Sequence, residues 1–344
     1  GLFRQIGIYA PFGQKYKPVD ADQLMFYRED QSGQVLQQGI SEPGAIASWM
    51  AAGTSYSVSN VPMLPFYIYY SMFGFQRVGD LAWQAADMRT RGFLLGGTAG
   101  RTTLNGEGLQ HEDGFSHIVA GGIPNVRSYD PTFGFEVTVI LQHGTKAMME
   151  DQIDEYYYIT LMNENYTHPE MPEGAADGIV KGMYLLTDAG KPKKGELRVQ
   201  LLDKDFGVTA DIWSCPSFNE LRRDGFDVER YNRFHPEGEQ RKAFVTELLE
   251  GRQGPAIAAT DYVRAYADQI RSFVPMSYTV LGTDGFGRSD TRANLRRFFE
   301  VDRYYIAHAA IAALAKEGKM TGKDVARAIK QYKIDPEKAN PVGV

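Results

Sequence analysis

The sequence runs to 344 residues, 43% hydrophobic and 23% charged. That balance excludes a wholly disordered or collagen-like chain and leaves room for about two domains with real cores. With 37 Lys and Arg against 43 Asp and Glu, the net charge is −6, so no general basic field exists to hold nucleic acid. The single Cys215 cannot close an internal disulfide, and apolar stretches such as Val61 to Tyr70 fall short of the roughly 20 residues that span a bilayer. A soluble protein of a reducing compartment is expected, and the start at Gly1 without Met fits a fragment or a processed chain.

In chain order, Leu2 to Tyr9 reads as a strand. Ser41 precedes an apolar helical pattern from Ile46 to Ala52 and can cap it, while Glu42 in the first turn is favoured by the helix dipole. At this stage Glu42 is either a helix-terminal carboxylate or one that faces a cofactor. Phe66 to Tyr70 reads as a strand. From Phe75 to Arg89 the spacing of Val78, Leu81, Ala82 and Ala85 predicts a helix with one buried face. Strands follow at Gly92 to Leu95 and near Asn125 to Tyr129, then a helix from Phe135 to Met149 and a strand from Tyr156 to Leu161. Such alternation predicts an α/β fold whose mostly parallel sheet carries helices on both faces. Most of the aromatic tract Phe66, Tyr67, Tyr69, Tyr70, Phe73 and Phe75 should be packing, with one or two rings left to face a ligand.

Between Asn163 and Gly195 the texture turns to Pro, Gly and charge, which places a linker at 171–196 between a first unit, 1–170, and a second α/β unit, 197–344. In the second unit Leu197 to Leu202, Ala210 to Trp213, Ala256 to Thr260 and Tyr278 to Gly282 read as strands. A helix from Arg303 to Lys316 should end at Gly318, and Thr321 should cap the next. Only Asp203 to Thr209 separates the first two of these strands, whereas a parallel crossover needs a dozen or more residues. Either that pair is antiparallel or a segment is missing after Leu202, and the surrounding pattern favours the second.

The densest chemistry lies in the glycine-rich stretch from Gly96 to His117, which carries His111, His117, Glu107, Glu112 and Asp113. It follows a buried strand, the place where open α/β sheets bind ligands. It reads either as an acid–base cluster or as a surface loop with solvated charges. No P-loop register is present, because Arg101 follows Gly100. His111 and His117 stand six positions apart with Gly114 between, so they do not share a helix face as a zinc-helix motif requires; no metal ligands are assigned. His143, His168, His235 and His308 read as structural or surface residues.

Four ordered blocks carry a resemblance: Gln38-Gly39-Ile40-Ser41-Glu42, Pro65 to Arg77, Thr102 to Gly114 and Leu281 to Asp290. They closely resemble the homodimeric bacterial pyruvate dehydrogenases, the thiamine-dependent decarboxylating component of that complex, nearly end to end. The resemblance implies a transketolase-like fold, with 1–170 as the pyrimidine-binding domain lacking its amino end and 197–344 as the carboxyl-terminal domain. It implies thiamine diphosphate with Mg²⁺, whose ligands would lie in a preceding part of the chain; Thr283-Asp284-Gly285 does not supply that signature. The implied reaction is decarboxylation of pyruvate and acetyl transfer to a lipoyl group of dihydrolipoyl acetyltransferase, on the route to acetyl-CoA, in the bacterial cytoplasm. The partners implied are a second copy of the chain and the lipoyl and subunit-binding domains of the acetyltransferase, with no nucleic acid and no membrane, and the chain alone would be inactive.

By resemblance Glu42 is the carboxylate that shares a proton with the aminopyrimidine, shielded from water, and Tyr70 and Phe73 line the pyrimidine pocket. His111 is a catalytic residue of the acetyl-transfer stage and His117 a substrate-contacting one, although Phe115 replaces a histidine common in close relatives. The alternatives are another thiamine-dependent activity, acting on 2-oxoglutarate or transferring ketol groups, and a non-catalytic assembly module.

Overall fold

Residues 5–21, 23, 27–189 and 199–344 are described by the structure, a computed structural model. Of the strand expected from Leu2, the described part is β1, Ile8–Tyr9, paired in parallel with β2, Glu29–Asp30. Ser41 caps the helix Glu42–Gly53, its side chain accepting from the Gly44 N–H. The main sheet comprises β3 (Phe66–Tyr70), β4 (Phe93–Gly97), β5 (Val126–Tyr129) and β6 (Tyr156–Leu161), all parallel in the order β3-β4-β6-β5.

Both faces of this sheet are covered, as a parallel sheet requires. Leu94, Tyr156 and Tyr158 face Ile46 and Trp49 of the first helix and Phe75, Val78 and Ala82 of the helix Ser71–Asp87. Phe93, Tyr157 and Ile159, on the alternate side, face Ile140 and Met148 of the helix Gly134–Met149 and Ile179 of the helix Ala175–Lys181. β6 lies inside the sheet, so Tyr156 to Ile159 are at most 1% exposed. β3 is an edge strand. Of the aromatic tract only Phe66 and Tyr70, with Ile68 between them on the same side of the strand, are exposed, at 51%, 45% and 62%, while Tyr69 and Phe75 are buried. Only one face of an edge strand needs to meet the core.

The region 171–196 is more than a linker. It carries the helix Ala175–Lys181, packed into the first unit's core, and β7, Tyr184–Thr187. Residues 190–198, including Gly190 to Gly195 and the start of the strand expected at Leu197, lie outside the described residues. The rest of that strand is a helix, Gln200–Phe206, ended by Gly207 at φ 65°. Val199, Leu202 and Phe206 fall at helical spacing and pack with Ala307, Ile311 and Tyr332; a short apolar run by itself does not separate strand from buried helix. β8, Ile212–Ser214, therefore pairs antiparallel with β7. The crossover thought too short does not exist, and the spacing argument for a missing segment falls with it.

β9 (Ala256–Ala259) and β10 (Tyr278–Leu281) pair in parallel. The helix Arg303–Lys316 is capped by Asp302, which accepts from the N–H groups of Tyr304 and Tyr305, and the chain leaves it through Gly318 at φ 74°. Thr321 caps the last long helix, Gly322–Gln331. Among the described residues no helix is long and apolar enough to cross a membrane.

Candidate active site

The carboxyl ends of β3 and β4 hold the candidate site. Tyr70 closes β3 and the helix Ser71–Asp87 starts at once, so Phe73 and Arg77, four residues apart, lie on one face of its first turns. A kink follows directly: Val78 has φ −133° and ψ 22° inside the helix. The Arg77 guanidinium lies 4.2 Å from the centre of the Phe73 ring and donates to Glu42 Oε1 at 2.5 Å. Arg77 thus joins the amino end of one helix to the aromatic step of another.

His111 completes the group. It sits on a 3₁₀ turn, Leu109–His111, in the loop leaving β4, with its ring 5.3 Å from Tyr70 and 5.1 Å from Phe73. Its Nδ1 is 3.3 Å from Glu107 Oε2. Of the five residues expected in the site, Tyr70, Phe73 and His111 meet directly and Glu42 is linked to them through Arg77, although 69 positions separate Glu42 from His111. Arg77 was missed as a member. Its signal was the i, i+4 spacing from Phe73, but the pairing with Glu42 spans 35 residues and is legible only in the fold.

Glu42 is not sealed off in this chain. Its side chain is 19% exposed and that of Arg77 49%, so the expected shielding from water is not supplied by the described residues. Burial, with the charge of the nearby Glu42 carboxylate added, pushes the Tyr67 phenol up to about 12. An aromatic step with a carboxylate and an imidazole near it could hold one end of a flat, nitrogen-bearing ring. Among the described residues no group of three or more His, Cys, Asp or Glu side chains is arranged to hold a metal ion.

His117 is not part of this cluster. It is fully buried, in hydrogen-bond contact with Ser128 Oγ at 2.6 Å and Thr160 Oγ1 at 2.9 Å. Its ring stacks 4.8 Å from Tyr266 and lies edge-on to Tyr262. Burial pushes its pKa down to about 3, so the ring is neutral and closed to solvent. The structure thus places His117 away from the residues around Glu42 and His111, where its side chain joins the first unit to the second.

The loop bearing His111 is stitched to the second unit along its length. Thr98 opens it at φ 51°, a conformation a non-glycine residue keeps only when its surroundings fix it. Arg101, 6% exposed, donates to the carbonyls of Thr283 and Gly285, and the Thr102 N–H donates to both oxygens of Asp261. The Val263 N–H donates to Gly114 O at 2.8 Å, and Arg292 Nε to Thr103 O at 2.8 Å. Glu112, 1% exposed, accepts from the Arg288 N–H at 2.6 Å. Burial pushes its carboxyl up to about 7 against the lowering effect of that N–H and of Arg101.

A separate cleft lies elsewhere. About 1060 Å³ in volume, it opens where β5 and β6 begin and is lined by Arg127, Tyr129, Glu155 and Glu220. Arg127 already pairs with Glu155 at 2.7 Å and Glu220 at 2.6 Å, so opposite charges neutralise one another there.

Residues 1–169 match the family of the pyruvate dehydrogenase E1 component middle domain, and residues 197–302 the transketolase-like C-terminal domain. Pyruvate dehydrogenase E1 components of Pseudomonas aeruginosa and Cupriavidus necator are each 59% identical, over 99% and 100% of this chain. The chain spans about 40% of the length of either. The alignments run over 357 and 360 positions, longer than the chain itself, so these relatives carry residues that it lacks. Among solved structures, a transketolase from Leishmania mexicana superposes with a TM-score of 0.63 over 94% of this chain and 46% of its own, at 15% identity, a likeness of fold. The chain belongs to the bacterial pyruvate dehydrogenase E1 component family, of which it carries the middle domain and the transketolase-like C-terminal domain.

Proposed function

We propose that this chain supplies the pyrimidine-side half of a thiamine diphosphate site in an enzyme that decarboxylates pyruvate and passes the acetyl group to a lipoyl group of an acetyltransferase partner. The observation that carries the reading is the convergence of Glu42, Arg77, Tyr70, Phe73 and His111 at the carboxyl ends of β3 and β4, in a chain 59% identical to named pyruvate dehydrogenase E1 components. Thiamine diphosphate, when bound, supplies a nucleophilic carbon and an electron sink for loss of carbon dioxide.

The chain's own residues do the rest. Glu42 holds a proton at the pyrimidine ring nitrogen, and Arg77 fixes which way the carboxylate points. Tyr70 and Phe73 give the ring a stacking surface and keep water from one side of it. His111, across the aromatic step, moves protons on and off oxygen during acetyl transfer, a task suited to an imidazole. The exposed row Phe66, Ile68 and Tyr70 along β3 is the surface that a second copy of the chain would cover, closing the site from water and shielding Glu42. The diphosphate and Mg²⁺ would be held by residues outside this chain. The domains divide as 1–170 and 197–344.

The test is made in the complete enzyme. Glu42→Ala should slow proton exchange at the thiazolium carbon by about a hundredfold or more, within the usual range for a lost acid–base group; unchanged exchange rejects the assignment. Consumption of 2-oxoglutarate but not pyruvate by the complete enzyme would refute the substrate. The cytoplasm is the compartment in which such a complex would work.

A further inference from the structure

The His111 turn has no strand or long helix of its own to hold it. Its ring lies against Tyr70, Phe73 and Glu107, whereas its neighbour Glu112 reaches into the junction with the second unit. There one carboxylate oxygen of Glu112 takes the Arg288 backbone N–H at 2.6 Å, and the other is buried without a partner. The second unit answers with a glycine. A Cβ on Gly287 would stand 2.7 Å from Glu112 Oε2 and 2.8 Å from the Leu109 carbonyl oxygen, so the 285–288 backbone lies directly against the turn that carries His111. Arg101, on the same loop as His111, donates to the carbonyls of Thr283 and Gly285 where the chain enters that segment.

We propose that Glu112 is a positioning residue: by clamping the Gly287-Arg288 backbone of the second unit, it sets the place of the His111 imidazole over Tyr70 and Phe73. The clamp is a contact between domains, so the docking of the C-terminal unit and the aim of His111 are one event. A buried carboxyl is suited to this task because its oxygen accepts a short, directional bond from a main-chain N–H whether or not it carries a charge. The adjacent glycine is required because any side chain at 287 would push the two backbones apart. The inference rests on the reading of His111 as an acetyl-transfer residue for its consequence in catalysis, but not for its geometric content.

Two readouts in the complete enzyme test it. The first is the rate at which diethyl pyrocarbonate modifies His111, followed by peptide mass spectrometry. Glu112→Ala and Gly287→Ala should each raise that rate about fivefold, whereas Glu112→Gln, whose amide oxygen can still accept from Arg288, should leave it within twofold. The second compares acetylation of a free lipoyl domain with pyruvate decarboxylation using an artificial electron acceptor. Glu112→Ala should slow acetylation about tenfold and decarboxylation less than twofold, and should add nothing in a His111→Ala background. Unchanged His111 reactivity in both clamp variants overturns the proposal, as does a tenfold loss in the two assays alike. If the wild-type enzyme fails to turn over pyruvate, the functional reading has failed and the modification rate alone decides the clamp.

Discussion

Glu136 offers the sharpest test of how the two units are joined. It is fully buried at the start of the helix Gly134–Met149, and its carboxylate takes four hydrogen bonds. The N–H groups of Thr132 and Phe133 donate to Oε2 at 2.5 and 2.9 Å, and the hydroxyls of Tyr184 on β7 and Ser214 on β8 donate to Oε1 at 2.7 and 2.6 Å. One side chain therefore caps a helix of the first unit and pins the β7–β8 pair to it. Glu136→Ala removes every acceptor. The Thr132 N–H can turn to water, but the Phe133 N–H and two hydroxyls stay in a dry pocket, and bonds to a charged group contribute about 1.5–3 kcal/mol each. With partial recovery by an entering water, the loss should be about 3–5 kcal/mol. Glu136→Gln should cost less than about 1.5 kcal/mol, because its oxygen can serve the two N–H groups while its NH₂ donates to hydroxyls that rotate to accept. Urea unfolding followed by tryptophan fluorescence measures both, with Trp213 on β8 as a local probe. Equal losses for alanine and glutamine, or a loss below about 1 kcal/mol for alanine, would refute the reasoning.

Two further outcomes follow from the same structure. Because burial lowers the His117 pKa to about 3 from about 6.5 when unfolded, the unfolded chain binds the extra proton between those values. The contribution is complete above about pH 6.5 and is lost as pH falls, by about 1.4 kcal/mol per unit; urea midpoints at several pH values should show a shallower acid-side slope in His117→Asn, and an unaltered slope would contradict this. Gly182 has φ 103°, and a Cβ there would lie 2.3 Å from the Ser217 carbonyl, while Gly207 has φ 65° and open space around it. Gly182→Ala should thus cost more than about 2 kcal/mol and Gly207→Ala about 1 kcal/mol, the backbone term alone; similar thermal shifts in the two variants would contradict the steric account.

The parts of the fold that could be read ahead are those set by local rules. Ser41, Asp302 and Thr321 stand where helix starts need acceptors, although Asp302 was not singled out. The tyrosines and isoleucine of β6 read as a strand and are one. The errors share a cause: they needed knowledge of a neighbour. Gln200–Phe206 is helical because helices near the carboxyl end cover it, and 171–196 carries a helix and a strand because the first unit's core and β8 give them partners.

The site divides in the same way. By itself, the sequence determined which residue types were available and that the ordered blocks around Glu42, Tyr70 and His111 match one family, because motif and spacing are properties of the chain. Only the tertiary structure decided that Arg77 closes on Glu42, that His111 lies over Tyr70 and Phe73, and that His117, six residues on, is sealed between domains. Those outcomes depend on which strand ends lie side by side and which surfaces the second unit covers. Sequence separation along one loop says nothing of that.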